Sequence, residues 1–313
     1  MLLLSEDQTR DALPFPGLID ALAEMFRAGC VMPKRHHHDM EVPGEPDGTL
    51  LLMPAWVPGG YSGVKVVNVM PGNAQRDLPA VSAQYLLSDA RTGEMLALID
   101  GGELTARRTA AASALAARYL ARADARHLLV AGTGRLAPNL VAAHMAVRPV
   151  EEVTIWGRSL EKAEKLVQEL SARFSATIKA TADLKDALGK ADIVSSATLS
   201  LEPLIEGALL KPGTHVDLVG AFKPAMRESD DDLVRRAEIY VDTRDGCLSE
   251  GGDIVQPLQS GLISPADIKA DLYELCRGQH PGRRSDEAVT MFKSVGAALE
   301  DLAGAMLAYA NRT

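Results

Sequence analysis

The sequence predicts an α/β protein in two parts, a doubly wound parallel sheet preceded by a smaller α+β part. Three observations carry the prediction. Residues 127–159 read as strand, glycine turn, helix and strand in succession. Beyond them, segments at 176–181, 193–197, 215–219 and Glu238–Val241 alternate with helical patterns at 160–173 and 183–188, the layout of parallel βαβ units. Before residue 100 the chain instead carries short strand-like runs separated by Pro, Gly and Asn, which is an antiparallel pattern.

In chain order, residues 5–30 are expected to be helical. Ser5 stands three residues before Gln8, and Leu18, Ile19, Leu22, Met25 and Phe26 recur at helical spacing. Strands are expected at Thr49–Met53, Tyr61–Val69, Gln84–Ser88 and Met95–Asp100, the last pair joined by a turn over Asp89–Glu94. An alanine-rich helix then runs from Leu104 to Ala121 and links the first part to the second. The final helix, Met291–Asn311, is apolar on most of its circumference and is expected to leave the second part and pack on the first or on another subunit.

The 313 residues are enough for two cores, and 47% hydrophobic with 24% charged content is that of an ordinary soluble chain. A net charge of -9 and a pI near 5.3 argue against a nucleic-acid partner, because no basic stripe is available to neutralise phosphates. Small anions need only a local cluster of cations. Cys30, Cys247 and Cys276 lie without metal spacing, which suits a reducing cytoplasm, and no metal is expected. The N-terminal MLLLSEDQTRDAL lacks a basic region and the length of a signal peptide, and no run reaches the roughly 18 apolar residues of a membrane span.

The turn Gly132-Thr133-Gly134-Arg135-Leu136-Ala137 is where the Rossmann type of sheet would hold a dinucleotide. Gly132 permits the tight turn, Gly134 lets backbone amides approach a pyrophosphate, and Ala137 allows close helix packing. The helix N-terminus then faces the phosphate charge. At the end of the second strand an NAD site usually carries an acid, whereas this chain reads Trp156-Gly157-Arg158-Ser159. NADP(H) is therefore the expected cofactor, with NAD(H) second. Arg158 could equally be a solvated loop residue and Ser159 a helix cap. Thr198, Val219 and Val295 complete the expected cofactor set.

Outside the glycine turn, Lys65 lies in the apolar strand Gly63–Asn68, Arg108 early in the alanine helix, and Arg35 just before His36-His37-His38. Cations in such settings face either solvent or an anionic ligand, and arginine is the residue that grips a carboxylate bidentately. In an extended segment His36 and His38 share a face, but no third metal ligand is visible. Asp217, near a strand end, is either a site residue, with Lys65 or water an alternative proton source, or a structural acceptor.

Taken together, Gly63–Asn68, the run Leu104-Thr105-Ala106-Arg107-Arg108-Thr109-Ala110-Ala111-Ala112-Ser113, the glycine turn, and Phe292–Ala298 with Glu300-Asp301 resemble the ornithine cyclodeaminase and mu-crystallin family, from about residue 30 onward. The resemblance implies a substrate-binding and dimerisation domain at 1–118, completed by a helix at 297–313, a dinucleotide domain at 119–296, and a homodimer. It further implies that Arg35, Lys65 and Arg108 clamp a substrate carboxylate. Cyclodeaminases in the family resemble one another in a GGDxPGKTE-like stretch whose aspartate acts on the substrate amine; here Gly220–Glu228 places Phe222 at that position. A phenyl ring accepts no proton. The expected activity is therefore a cytoplasmic, NADPH-preferring reduction of Δ1-pyrroline-2-carboxylate or Δ1-piperideine-2-carboxylate to L-proline or L-pipecolate. The alternatives are ornithine cyclodeamination, an alanine dehydrogenase-like reaction, and a non-catalytic NADP(H)-dependent binding protein of the crystallin type.

Overall fold

The computed structural model describes residues 1–313, the side chain of Ala74 excepted. In chain order the elements are β1 (Leu2–Leu4), α1 (Glu6–Ala12), α2 (Phe15–Ala28), β2 (His36–Met40), β3 (Gly48–Trp56), β4 (Tyr61–Val69), β5 (Val81–Asp89), β6 (Met95–Asp100) and α3 (Gly101–Leu120). They continue as β7 (His127–Ala131), α4 (Ala137–Met145), β8 (Glu152–Trp156), α5 (Leu160–Ser171), β9 (Thr177–Thr181), α6 (Leu184–Lys190), β10 (Ile193–Ser196) and β11 (His215–Leu218). The remainder is α7 (Asp231–Arg236), β12 (Glu238–Val241), α8 (Arg244–Cys247), α9 (Gly252–Gln259), β13 (Ile268–Asp271), α10 (Leu272–Cys276), β14 (Thr290–Lys293) and α11 (Ala298–Ala310).

Two compact units divide the chain, Met1–Arg108 with Ala298–Thr313, and Thr109–Ala297. The division falls inside α3, ahead of the boundary expected after residue 118.

The first unit is a six-stranded sheet in the order β1-β6-β5-β4-β3-β2, antiparallel except where β1 joins β6. Its register puts Met53, Lys65, Tyr85 and Ile99 in one row, and all four are buried. Helices α2 and α11 supply apolar partners to this unit, through Leu18, Ile19, Leu22 and Phe26 from one and Leu299, Leu302 and Ala305 from the other. The expected helix over 5–30 is two helices. Pro14 carries no N–H and caps the second, so the chain turns at Leu13-Pro14 after a capping box made by Ser5 and Gln8. β1 was not expected. It is three residues long, and its pairing with β6 is distant in sequence.

The second unit is an eight-stranded parallel sheet in the order β13-β12-β14-β11-β10-β7-β8-β9. Sequence order reverses direction at β7, with β8 on one side and β10 on the other, so the crevice beyond the carboxyl ends of β7 and β10 is a ligand-binding position. The core strand residues Leu128, Leu129, Val130, Val194, Val216 and Leu218 are fully buried, as expected of a sheet covered on both faces.

One long element corrects the sequence reading. Met291–Asn311 is not a single helix: Thr290–Lys293 is the central strand β14, paired with both β11 and β12, and the helix begins at Ala298. The break lies at Ser294–Ala297, where Gly296 adopts φ 79°, a left-handed conformation that glycine takes without steric cost. A short apolar run leading into an apolar helix carries no periodicity that separates the two.

Candidate active site

The turn after β7 delivers the first half of the site. Gly132 has φ 127°, and a Cβ on it would stand 2.8 Å from the Ala197 carbonyl, so the turn excludes any larger residue. At Gly134 the opposite holds. A Cβ there would meet nothing within 4 Å, so its smallness serves something other than protein packing. The Ala137 N–H donates to the Gly134 carbonyl as α4 starts, and Ala137 is buried.

A cavity of about 410 Å³ opens at this turn, lined by Gly132, Thr133, Gly134, Arg158, Ser159 and Thr198 of the expected set. Trp156, Lys162, Leu199, Ser200 and Leu204 also line it and were not anticipated. Arg135, Leu136, Ala137, Val219 and Val295 are absent from the lining. Ser159 caps α5, its Oγ accepting from the Lys162 N–H at 3.3 Å, and it faces the cavity as well. Both readings of Ser159 therefore describe the same side chain. Among the described residues no hydrogen bond or ion pair engages the side chain of Arg158 or Lys162. Two cations beside a hydroxyl at the end of β8, with no acid, suit the phosphate of a phosphorylated ribose.

A buried carboxylate to which sequence reasoning assigned no role holds Thr198 of the cavity lining in place. Glu228 is fully buried; its Oε1 accepts from Ser196 Oγ, Thr198 N and Thr198 Oγ1 at 2.7, 2.7 and 2.8 Å, and its Oε2 from the Gly220 and Ala221 N–H groups. It thus ties the loops following β10 and β11 together. Burial pushes its carboxyl above the usual range, against the pull of Lys293. Lys293 is itself buried, 3.3 Å from Asp253, whose Oδ1 accepts from the Glu228 and Ser229 N–H groups. Asp242 does similar work for the segment after β14, Oδ2 accepting from Ser294 Oγ and from the Val295 and Gly296 N–H groups. Glu228 closed the Gly220–Glu228 stretch without being assigned a role, and Asp242, Asp253 and Lys293 carried no sequence signal beyond their polar character.

Asp217 is placed differently from the expectation of a site residue. It is fully buried within β11, accepts from Ser195 Oγ at 2.5 Å and lies 3.6 Å from His144 Nε2, and it does not line the cavity. The strand continues for one residue beyond it, so Asp217 faces the interior rather than the crevice. Phe222, on the loop after β11, is 43% exposed, and Lys223 Nζ stands 5.9 Å from its ring centroid.

The first unit holds the expected cations together. Lys65, from β4, is 3% exposed and donates to Thr105 Oγ1 at 3.2 Å and to Asp301 Oδ1 at 2.9 Å, with Asp301 Oδ2 at 2.8 Å. Arg108 donates through Nε to Asp301 Oδ1 at 3.0 Å and through Nη1 to Glu300 Oε2 at 2.7 Å. Among the described residues, these bonds leave its Nη2 edge for a further acceptor. Arg35 is close enough to Lys65 to act on its charge. Burial lowers the Lys65 ammonium to about 8, although Asp301 opposes the change. Arg107, next to Arg108 in sequence, points elsewhere: Nε donates to the Leu13 carbonyl and the guanidinium covers the Phe15 ring at 4.2 Å. His36 and His38 share a face of β2, ring centroids 6.2 Å apart, and among the described residues no group of three or more metal-ligating side chains forms.

Residues 17–313 match the model of the ornithine cyclodeaminase/mu-crystallin family. The chain belongs to that family. Among its curated relatives, a Δ1-pyrroline-2-carboxylate reductase of Paracoccus denitrificans is 42% identical over 280 residues, covering 89% of this chain and 88% of the relative. Among solved structures, Thermococcus litoralis Δ1-pyrroline-2-carboxylate reductase in complex with NADH and L-proline is 34% identical, with a TM-score of 0.90 over 99% of this chain and 97% of that one. An archaeal alanine dehydrogenase dimer with bound NAD is 30% identical, with a TM-score of 0.90 over 99% and 95%. The family thus spans several reactions on one fold. The α/β architecture expected from the sequence agrees with these neighbours.

Proposed function

We propose that this family member is a reductase of cyclic ketimine carboxylates, Δ1-pyrroline-2-carboxylate first among them, using a nicotinamide cofactor. The observation that carries the reading is the buried cluster of Lys65 and Arg108, joined by Arg35, in a chain 42% identical to a reductase of that name. Bidentate and charge-assisted donors are what a small carboxylate needs. The glycine turn, with open space over Gly134, fits the pyrophosphate of the dinucleotide. A bound reduced nicotinamide supplies the hydride that adds to C2 of the protonated imine. Arg35, Lys65 and Arg108 hold the carboxylate, and so orient C2 and spread its negative charge. With Phe222 in place of a base, the site deaminates no ornithine.

We assign NADPH as the preferred reductant, on Arg158, Ser159 and Lys162 at the end of β8. The decisive experiment follows cofactor absorbance with purified protein across a panel of Δ1-pyrroline-2-carboxylate, Δ1-piperideine-2-carboxylate, pyruvate with ammonia, and ornithine. Rapid oxidation with the cyclic imines, and background rates with the others, is the expected result. Imine rates at background would overturn the assignment, and ammonia release from ornithine would favour the cyclodeaminase.

A homodimer is part of the proposal. The row Pro54, Val64, Leu86 and Leu98 lies on the face of the six-stranded sheet opposite the buried Lys65 row, and these apolar side chains remain half-exposed. The related archaeal alanine dehydrogenase is a dimer. Leu86→Arg is expected to yield a monomer, read as about half the wild-type mass by light scattering on a sizing column; an unchanged mass would exclude this face. No helix among the described residues is long and apolar enough to cross a membrane, and the three cysteines form no disulfide among the described residues. We place the enzyme in the cytoplasm on its cysteine usage.

A further inference from the structure

Beyond the three cations, the cluster contains two carboxylates whose role is not explained by the carboxylate clamp alone. Asp301 and Glu300 lie at the start of α11 and are fully buried. Asp301 Oδ1 accepts from both Lys65 Nζ and Arg108 Nε, and Arg108 is anchored in turn by Glu300. A relay of alternating charge therefore runs Glu300, Arg108, Asp301, Lys65, and ends on Lys65.

We infer that Asp301 is a positioning residue of the substrate-carboxylate site: braced by Arg108, its buried carboxylate fixes the Lys65 ammonium, and with Glu300 it reduces three cations to a surplus of one, the charge of a monocarboxylate. This rests on the reading of Lys65 as a substrate ligand. Long lysine side chains lose rotamer freedom on ordering, and a partner fixed inside the fold meets that cost before substrate arrives. The surplus matters because a desolvated site binds tightly only when its charges balance. A ligand with two carboxylates would leave the cluster one negative charge in excess.

The groups facing Lys65 come from every element packed on it. They are Asp301 from α11, Arg108 and the Thr105 hydroxyl from α3, Arg35 from the segment before β2, and Tyr85 paired opposite it on β5, with Cys30 beside the tyrosine and Glu300 one step removed, on Arg108. Burial, Arg108 and Arg35 all disfavour the ammonium, and Asp301 is the group that sustains it. Removing the Asp301 charge therefore moves Lys65 further down, so that it loses its proton at a lower pH.

The test uses the full-length protein labelled with ¹³C at lysine Cε, the Lys65 resonance being the one lost in Lys65→Met. In Asp301→Asn the Lys65 midpoint is expected to fall by about 1 unit or more from its wild-type value near 8. Binding of cyclopent-1-ene-1-carboxylate, which has no titrating nitrogen, is expected to weaken about tenfold or more at pH 7.5, with NADPH binding unchanged. A midpoint and an affinity equal to wild type would overturn the inference. If Asp301→Asn does not fold, Lys65→Met/Asp301→Asn leaves fewer unpaired charges and is compared with Lys65→Met alone. Carboxylate affinities within about threefold of one another uphold an action through Lys65. A further tenfold loss in the double variant overturns it. The lysine titration needs no turnover, so a wild-type protein inert to imines would refute the proposed function while leaving the role of Asp301 separately decided.

Discussion

Lys65→Met is expected to lower kcat/KM for Δ1-pyrroline-2-carboxylate by about 10²–10³-fold, measured as initial rates of NADPH oxidation. The substitution keeps most of the volume of the stem and removes the charge. The loss has two parts: the donor to the substrate carboxylate is gone, and Asp301, buried at 0% exposure, retains only Arg108 as a charged hydrogen-bond partner. Truncating one member of a buried charge pair costs about 2–5 kcal/mol, which sets the range. With the proposed cofactor site at the glycine turn of the other unit, the KM for NADPH is expected to stay within about twofold of wild type. A variant retaining more than about a third of wild-type kcat/KM would take Lys65 out of the substrate site.

Arg158→Ala/Lys162→Ala is expected to raise the KM for NADPH by about 30–100-fold and to leave the KM for NADH nearly unchanged. Each cation that engages the ribose phosphate contributes about 1.5–3 kcal/mol, and the two lie on the same cavity wall, so their effects combine to less than the sum. Steady-state kinetics with the two reductants side by side decide the matter. Equal losses for both would show that the pair supports the fold or the pyrophosphate. KM values unchanged for both reductants would leave the cofactor choice to other groups.

The parts of the fold legible in the sequence were those governed by local rules. Tyr61–Val69 and Met95–Asp100 were read with their observed bounds because alternation and turn residues mark them directly. The glycine turn was legible for a different reason: its residues are constrained by backbone geometry, as Gly132 demonstrates. β1 and β14 were missed because each owes its existence to partners far along the chain. Met291-Phe292-Lys293 is as compatible with a helix as with a strand until β11 and β12 are in place to bond it.

The same distinction separates the site residues. Lys65 and Arg108 stood out as cations among apolar or small residues, and the family resemblance singled out all three cations, Arg35 included. Their counter-charges did not stand out. Asp301 lies 236 residues from Lys65 and 193 from Arg108, and in a helix its acid reads as a complement to the dipole. Two adjacent acids on an otherwise apolar helix were the available signal. For Asp217 the sequence left a site role and a structural role both open, since proximity to a strand end does not say which face of the sheet a side chain takes.

The position of β14 bears on how the chain reaches its native state. Residues 290–293 enter the middle of the eight-stranded sheet, between β11 and β12, and residues 298–310 complete the other unit. During synthesis, then, β12 and β11 have no direct partnership and must wait for β14, a strand made well after both. Neither unit can close on the ribosome before residues 290–310 emerge, and until then the apolar flanks of both β11 and β12 stay exposed to other nascent chains. High contact order in both units is the kinetic cost of a sequence whose ends meet.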